Sequence, residues 1–178
     1  VELTAPGLHQ VNNSLAAAAC AAAVGAKLPQ IAAGLASVSV VAGRQAVKFL
    51  ANGAKVIDDS YNASPSSFEA AIDVLAECGG RQILVMGDMG ELGPDEAMLH
   101  CHVGEYARRA GVHALYSLGV LSAGAAAVFG GRHFEDRDSL IEVLADELQS
   151  AETTCLIKGS RSSGMEQIVE MLLIRGNP

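Results

Sequence analysis

From Arg44 onward, short apolar runs alternate with longer segments whose apolar residues recur at helical spacing. Val56-Ile57 ahead of Asp58-Asp59, residues 82–86, residues 114–118 and Cys155-Leu156-Ile157 are unbroken rather than alternating. That is the pattern of strands covered on both faces. Between them the spacing predicts helices from Ser64-Pro65 through Leu75 to about Cys78, over 96–110, 122–129 and 139–148, and over 165–174. In the fourth of these, Leu140, Ile141, Val143, Leu144 and Leu148 fall on one side. His133-Phe134 reads as a further short strand. Strands and helices in alternation predict a Rossmann-like α/β domain over 44–178, with a parallel sheet flanked by helices. Ligands in such folds sit at the carboxyl ends of the strands.

The texture before Gly43 is different. Residues 12–26 read as an Ala-rich helix with Asn12 or Asn13 as its N-cap and Gly25 near its end. Pro29 opens a second short helix through Leu35, as Pro is tolerated in a first helical turn. Two short helices do not make a core, so residues 1–43 read as the end of a domain whose body lies elsewhere.

Composition narrows the class. Half of the 178 residues are hydrophobic, enough for a buried core, which excludes wholesale disorder. Trp is absent, with three Tyr and four Phe, so the core must be Ala, Val, Leu and Ile. Twelve Lys and Arg against twenty Asp and Glu give a net charge of −8, which argues against a nucleic-acid footprint and a polybasic membrane tether. Val1-Glu2-Leu3 does not start a signal peptide, and residues 15–24 are too short to span a bilayer. A soluble, cytoplasmic protein is expected. Cys20, Cys78, Cys101 and Cys155 form no Cys-x-x-Cys pair and read as reduced thiols. His100-Cys101-His102 is a poor zinc box, because neighbours on a helix point about 100° apart; no metal site is expected.

Three loops at predicted strand ends carry unusual chemistry. In Asp58-Asp59-Ser60-Tyr61-Asn62-Ala63-Ser64-Pro65, a carboxylate at a strand end can accept from ribose hydroxyls or an ammonium, or back a magnesium ion. Asp59 and Asn62 can equally satisfy turn amides, and Ser64 is a helix cap. Gly87-Asp88-Met89-Gly90-Glu91-Leu92-Gly93-Pro94 permits close backbone approach, but lacks the spacing of a dinucleotide fingerprint. Lys158-Gly159-Ser160-Arg161-Ser162-Ser163-Gly164 offers two cations, three hydroxyls and helix-opening amides, a set suited to a carboxylate or phosphate. Met165-Glu166 stand where a nucleotide P-loop needs Lys and Ser or Thr. Alone, these residues say only that an α/β domain binds a small anionic or zwitterionic ligand.

Taken in order, the motifs say more. Gly7-x-His9-x-x-x-Asn13 before an Ala-rich helix, Gly43-Arg44, Asp58-Asp59-Ser60-Tyr61-Asn62-Ala63, Gly87-Asp88-Met89-x-Glu91-Leu92-Gly93 and Lys158-Gly159-Ser160-Arg161 resemble the Mur ligases. Among these, the match is to the members that add D-alanyl-D-alanine. The resemblance implies a mostly parallel Rossmann-like C-terminal domain preceded by the helical tail of a central ATP domain. It implies an ATP- and magnesium-dependent ligase of cell-wall synthesis, which joins D-alanyl-D-alanine to UDP-N-acetylmuramoyl-tripeptide through an acyl phosphate. By motif, Asn13 falls on the adenine side of the ATP site, Arg44 reaches the phosphates and Asp59 approaches the nucleotide. Asn62, Ser64, Lys158, Ser160 and Arg161 fall at or near the dipeptide. Gln10 departs from the Asn common at that place.

The family's Gly-Lys-Thr loop, its UDP-binding domain and its magnesium ligands have no counterpart in the sequence. By itself the chain is therefore expected to lack ligase activity, and phosphate release dependent on both substrates would overturn that. The first helix is expected to pack against the central domain, or otherwise to fold back, pair with another copy or fray. Two other readings remain open: a related amide ligase with another amino-acid acceptor, and a non-catalytic small-ligand module.

Overall fold

The computed structural model describes residues 3, 7–38 and 41–176, the side chain of His9 excepted. The chain divides into two compact units, Val1–Val41 and Ala42–Pro178.

The first unit is a pair of helices, α1 (Leu8–Ala23) and α2 (Leu28–Ala36). Helix α1 starts five or six residues earlier than the Asn-cap reading expects. Gly7, at φ 99°, takes the N-cap position, and Asn12 and Asn13 lie inside the helix. An interior Asn costs only a few tenths of a kcal/mol against Ala, so the Ala-rich run carries the helix past both. Pro29 is the second residue of α2, and the backbone N–H of Lys27 donates to Gln30 Oε1 at 2.9 Å.

The second unit is one six-stranded sheet in the order β1-β2-β6-β3-β4-β5, comprising β1 (Ala46–Phe49), β2 (Lys55–Asp59), β3 (Arg81–Gly87), β4 (Ala114–Leu118), β5 (Arg132–Phe134) and β6 (Thr153–Lys158). All neighbours are parallel except β1 on β2. Strand β1 is absent from the sequence reading. It is four residues long, and Val47 and Phe49 face solvent rather than a core, so no buried apolar run marks it. Its Lys48 pairs with Asp58 Oδ2 at 3.0 Å.

The unbroken apolar runs are explained by two cores, one on each face. Val56, Ile83, Val85, Cys155 and Ile157 pack under α6 (Arg137–Glu147) and α7 (Glu166–Gly176). Their neighbours Ile57, Leu84, Met86 and Leu156 pack under α3 (Pro65–Ala76), α4 (Glu96–Arg109) and α5 (Ser122–Phe129). Each strand alternates sides, and both sides are dry. Two helix starts rest on side-chain caps. Ser64 accepts from the N–H of Ser67 at 3.3 Å, and Asp136 from that of Ser139 at 2.8 Å. No helix among the described residues is long and apolar enough to cross a membrane.

One polar cluster ties the sheet to α6. Arg81 donates to both Glu147 oxygens, at 2.7 and 3.1 Å, and the Tyr116 hydroxyl donates to Oε1 at 2.6 Å. The Arg81 hydrogen bond holds the Glu147 carboxyl below the usual range, while burial, with Glu147 second, pushes the Tyr116 phenol up to about 12. A lowered carboxyl pKa adds stability above the unfolded value, and that stability is lost as pH falls through the folded one. Glu147→Gln lowers Tm at neutral pH. The gap between variant and wild type closes as pH falls below the ordinary glutamate value of about 4.3, as thermal melts across that range will show. A gap independent of pH would mean that packing, not charge, makes the difference.

Candidate functional site

The chain leaves β2 and β3 toward the face holding α3 and α4, but leaves β6, which lies between them, toward α7 on the other face. Loops that part in this way open crevices at the carboxyl ends of the strands. Two features occupy this edge.

The first joins β2 and β6. Asp59 and Lys158 are register partners on parallel strands, and the Lys158 ammonium donates to Asp59 Oδ2 at 2.7 Å and to the carbonyl of Asn62 at 2.9 Å. It also lies 5.5 Å from the centre of the Phe68 ring. Lys158 is 2% exposed. An ammonium has three donors, and burial without partners would be prohibitive. The other Asp59 oxygen accepts from the backbone N–H of Gln45 at 3.2 Å, which draws in the segment that enters the sheet. That segment turns through two positive φ values, 74° at Gly43, where glycine takes it freely, and 54° at Gln45, where a side chain makes it strained. The carbonyl of Gly43 accepts from Tyr61 N–H at 3.0 Å, and a Cβ on Gly43 would come within 3.1 Å of that nitrogen. Arg44 lies over the Tyr61 ring, 4.4 Å from its centre. The side-chain oxygen of Gln45 is buried with no hydrogen-bond partner.

The second feature joins β3 and β6. A Cβ on Gly159 would stand 3.1 Å from Gly87 Cα, so the two strands exit almost in contact. The carbonyl of Asp88 accepts from the Ser160 N–H at 2.9 Å and from the Ser163 hydroxyl at 2.8 Å. Its carboxylate Oδ1 accepts from the N–H groups of Leu121 and Ser122, at 3.1 and 2.8 Å, and so holds the start of α5. The glycine-rich loop is pinned by His100, which is fully buried. Its Nε2 accepts from Met89 N–H at 2.8 Å, and Nδ1 donates to the Glu96 carbonyl at 2.7 Å. The neighbouring His102 points to Glu69 instead. Outside these bonds lies a cavity of about 430 Å3, lined in part by Val120, Glu135, Arg137, Ser162 and Ser163.

The structure therefore gathers Arg44, Asp59, Asn62, Ser64 and Lys158 around one knot, with Ser160 and Arg161 following Lys158 into the next loop. Lys158 faces inward to Asp59 rather than outward as a free cation. Ser64 is engaged as a cap, and exposed Asn62 accepts from the Ala63 N–H at 2.8 Å. The Ser160 hydroxyl lies within 3.1 Å of those of Ser162 and Ser163. Arg161 is exposed, 3.4 Å from Glu166. Asn13 belongs to the other unit, exposed in α1. Arg137 is absent from the sequence reading, since Asp136-Arg137-Asp138 carries no motif and its partner Gln167 is 30 residues away.

Removing one member of a buried ion pair strands the other, at about 3–5 kcal/mol. Lys158→Met is therefore expected to lower the unfolding free energy by about that amount in urea titration. Asp59→Asn added to it should cost much less than the sum of the two single changes. Additive single effects would mean that the pair is not a unit.

The description Mur ligase, glutamate ligase domain matches residues 43–161. The chain is 44% identical over 99% of its length to the UDP-N-acetylmuramoyl-tripeptide–D-alanyl-D-alanine ligase of Escherichia coli, and covers 39% of that protein. It superposes on MurF from Acinetobacter baumannii with a TM-score of 0.90 at 31% identity, covering 98% of this chain and 39% of that one. On MurF from Thermotoga maritima, a structure in complex with ADP, it superposes with a TM-score of 0.81 at 26% identity, over 96% of this chain and 39% of that one. The chain thus spans about 39% of the length of these relatives. With a family match over more than half of its residues, and with the motif loops gathered at the carboxyl edge of the sheet, the chain belongs to the Mur ligase family.

Proposed function

We propose that this chain is the acceptor-side part of an ATP-dependent ligase that joins D-alanyl-D-alanine to UDP-N-acetylmuramoyl-tripeptide in the cytoplasm. The observation that carries the reading is the meeting of Asp59-Ser60-Tyr61-Asn62 with Lys158-Gly159-Ser160-Arg161 through one buried ion pair. Identity to the Escherichia coli relative along nearly the whole chain supports it.

In the reaction, a carboxylate oxygen of the tripeptide attacks the γ-phosphorus of ATP and ADP leaves. The dipeptide amine then attacks the acyl phosphate carbon. The C–N bond forms, phosphate departs with the C–O electrons, and the amine loses its proton. Such chemistry depends on neutralised phosphoryl charge and a held nucleophile. Arg44 is assigned to the phosphates, its stacking on Tyr61 being its resting place, and Asn13 to the adenine side. Asp59 and Lys158 act by fixing the two loops. Asn62 and Arg161 offer the exposed polar groups of the dipeptide side, Ser160 lies buried beside them with its hydroxyl near those of Ser162 and Ser163, and Ser64 caps α3. Among the described residues no three His, Cys, Asp or Glu side chains converge to hold a metal ion, so the magnesium that the family resemblance implies would take its ligands from outside them, and would there neutralise phosphate charge.

A chimera in which this chain replaces the matching region of the Escherichia coli relative tests the reading. Phosphate release is expected only with UDP-N-acetylmuramoyl-tripeptide and D-alanyl-D-alanine together. Arg44→Ala should slow turnover by about 100-fold, the size of losing one charge contact to the transferring group. A folded chimera that ignores the dipeptide but accepts a single amino acid would replace this reading with that of another acceptor.

A further inference from the structure

The glycine-rich loop between β3 and α4 has no part in the function proposed above, yet its backbone is held on every side. A Cβ on Gly87 would stand 2.6 Å from the Met165 sulfur. The Asp88 carbonyl accepts from Ser160 and Ser163, and His100 accepts from the Met89 N–H. Met89 is buried, and Leu92 packs half-buried against the same core. Between these two inward side chains stands Glu91. It is exposed and, among the described residues, makes no hydrogen bond or ion pair.

Glu91 has φ 61°, a region that a residue with a Cβ enters at a cost. Gln45, the other non-glycine residue with positive φ among those described, offsets that cost through its bond to Asp59. At Glu91 no such bond does. A bare turn would take glycine there, as it does at Gly93 with φ 69°. Strain that stabilises nothing around it is the mark of a residue kept for its side chain. The side chain is a carboxylate, and its neighbourhood is specific. A Cβ on Gly90 would lie 3.8 Å from the Ser160 hydroxyl oxygen, so Glu91 stands one residue from contact with the Lys158-Gly159-Ser160-Arg161 loop. Other carboxylates of this edge are engaged: Asp59 with Lys158 and Gln45, Asp88 with the Leu121 and Ser122 N–H groups, Glu166 with Arg161.

We propose that Glu91 is the general base of the amide-forming step; the inference rests on the function proposed above. That step must remove a proton from nitrogen. As the amine lone pair forms the C–N bond, the carbonyl π pair moves to oxygen, and the nitrogen becomes positive and acidic. Glu91 takes one proton from it. The oxygen pair then restores the C=O bond, and phosphate leaves with the C–O electrons. The exposed cations nearby, Arg44 and Arg161, have no acceptor to offer that proton. The left-handed turn sets the carboxylate outward while Met89 and Leu92 turn inward, so the base is aimed before the acceptor arrives.

The chimera described above carries the test. Glu91→Gln is expected to lower kcat by about 100-fold or more, the ordinary worth of general-base catalysis, while the KM for dipeptide holds. Added formate should restore turnover to Glu91→Ala but not to Arg44→Ala, because a free carboxylate replaces a base and not a cation. This chain by itself supplies the control for folding. Glu91→Gly takes the same φ without steric cost, so it should melt no lower than wild type, yet in the chimera it should turn over as slowly as Glu91→Gln. An unchanged kcat in Glu91→Gln, a slow Glu91→Ala that does not respond to formate, or a Glu91→Gly that melts lower and stays active would each overturn this inference alone. A wild-type chimera that never uses the dipeptide overturns the reading beneath it.

Discussion

Lys158 carries its charge to the end of a strand that is dry on both faces, and the surrounding loops are arranged around satisfying it. Its three partners come from three places: a carboxylate on the neighbouring strand, a carbonyl in the loop after that strand, and the face of Phe68 in α3. Each partner fixes something else. Asp59, held on one oxygen, presents the other to Gln45 and so anchors the entry to the sheet. The Asn62 carbonyl sets the path of the loop into the Ser64 cap. An ion pair so buried is a poor source of net stability; what it supplies is one geometry for two loops that the sheet would otherwise leave apart.

That geometry follows from the order of the strands. Because β6 sits between β2 and β3 but sends its helix to the opposite face, its carboxyl end is flanked on both sides. On the β2 side the gap is closed by the ion pair. On the β3 side it is closed by Asp88, whose carbonyl and carboxylate serve two different elements at once. The cavity opens only beyond that second closure. Rigid bonding at the centre of the edge and open space at its margin are therefore parts of one construction.

Much of this was legible in the residues, and the reasons are local. Unbroken apolar runs announce strands covered on both faces, and Ser64-Pro65 announces a helix start whatever the tertiary setting. Strand β1 escaped because both of its large apolar side chains face solvent, leaving no burial pattern to read. The early start of α1 escaped because Asn is a good cap and also a tolerable interior residue, and the Ala-rich run decided between the two. At the candidate site, residue types were readable but orientation was not. Lys158 and Arg161 look alike in the sequence as loop cations, yet one is 2% exposed and the other, three residues on, is at the surface. The last strand position puts a side chain into the sheet edge, whereas a loop position does not.

The difference between the cations also explains why the inward one is Lys and the cavity one Arg. An ammonium has three donors around a point, and a carboxylate, a carbonyl and a ring face suffice to surround it. A guanidinium in the same place would bring five donors in a plane and would leave several unmet in a dry setting. At the cavity the balance reverses. Arg137 gives Nη1 to Gln167 and keeps a buried Nε without a partner. A positive charge at the carboxyl edge of the sheet therefore does not by itself mark an anion site. Lys158 spends its charge on this chain's own groups, whereas Arg137 lines open volume with a donor unmet.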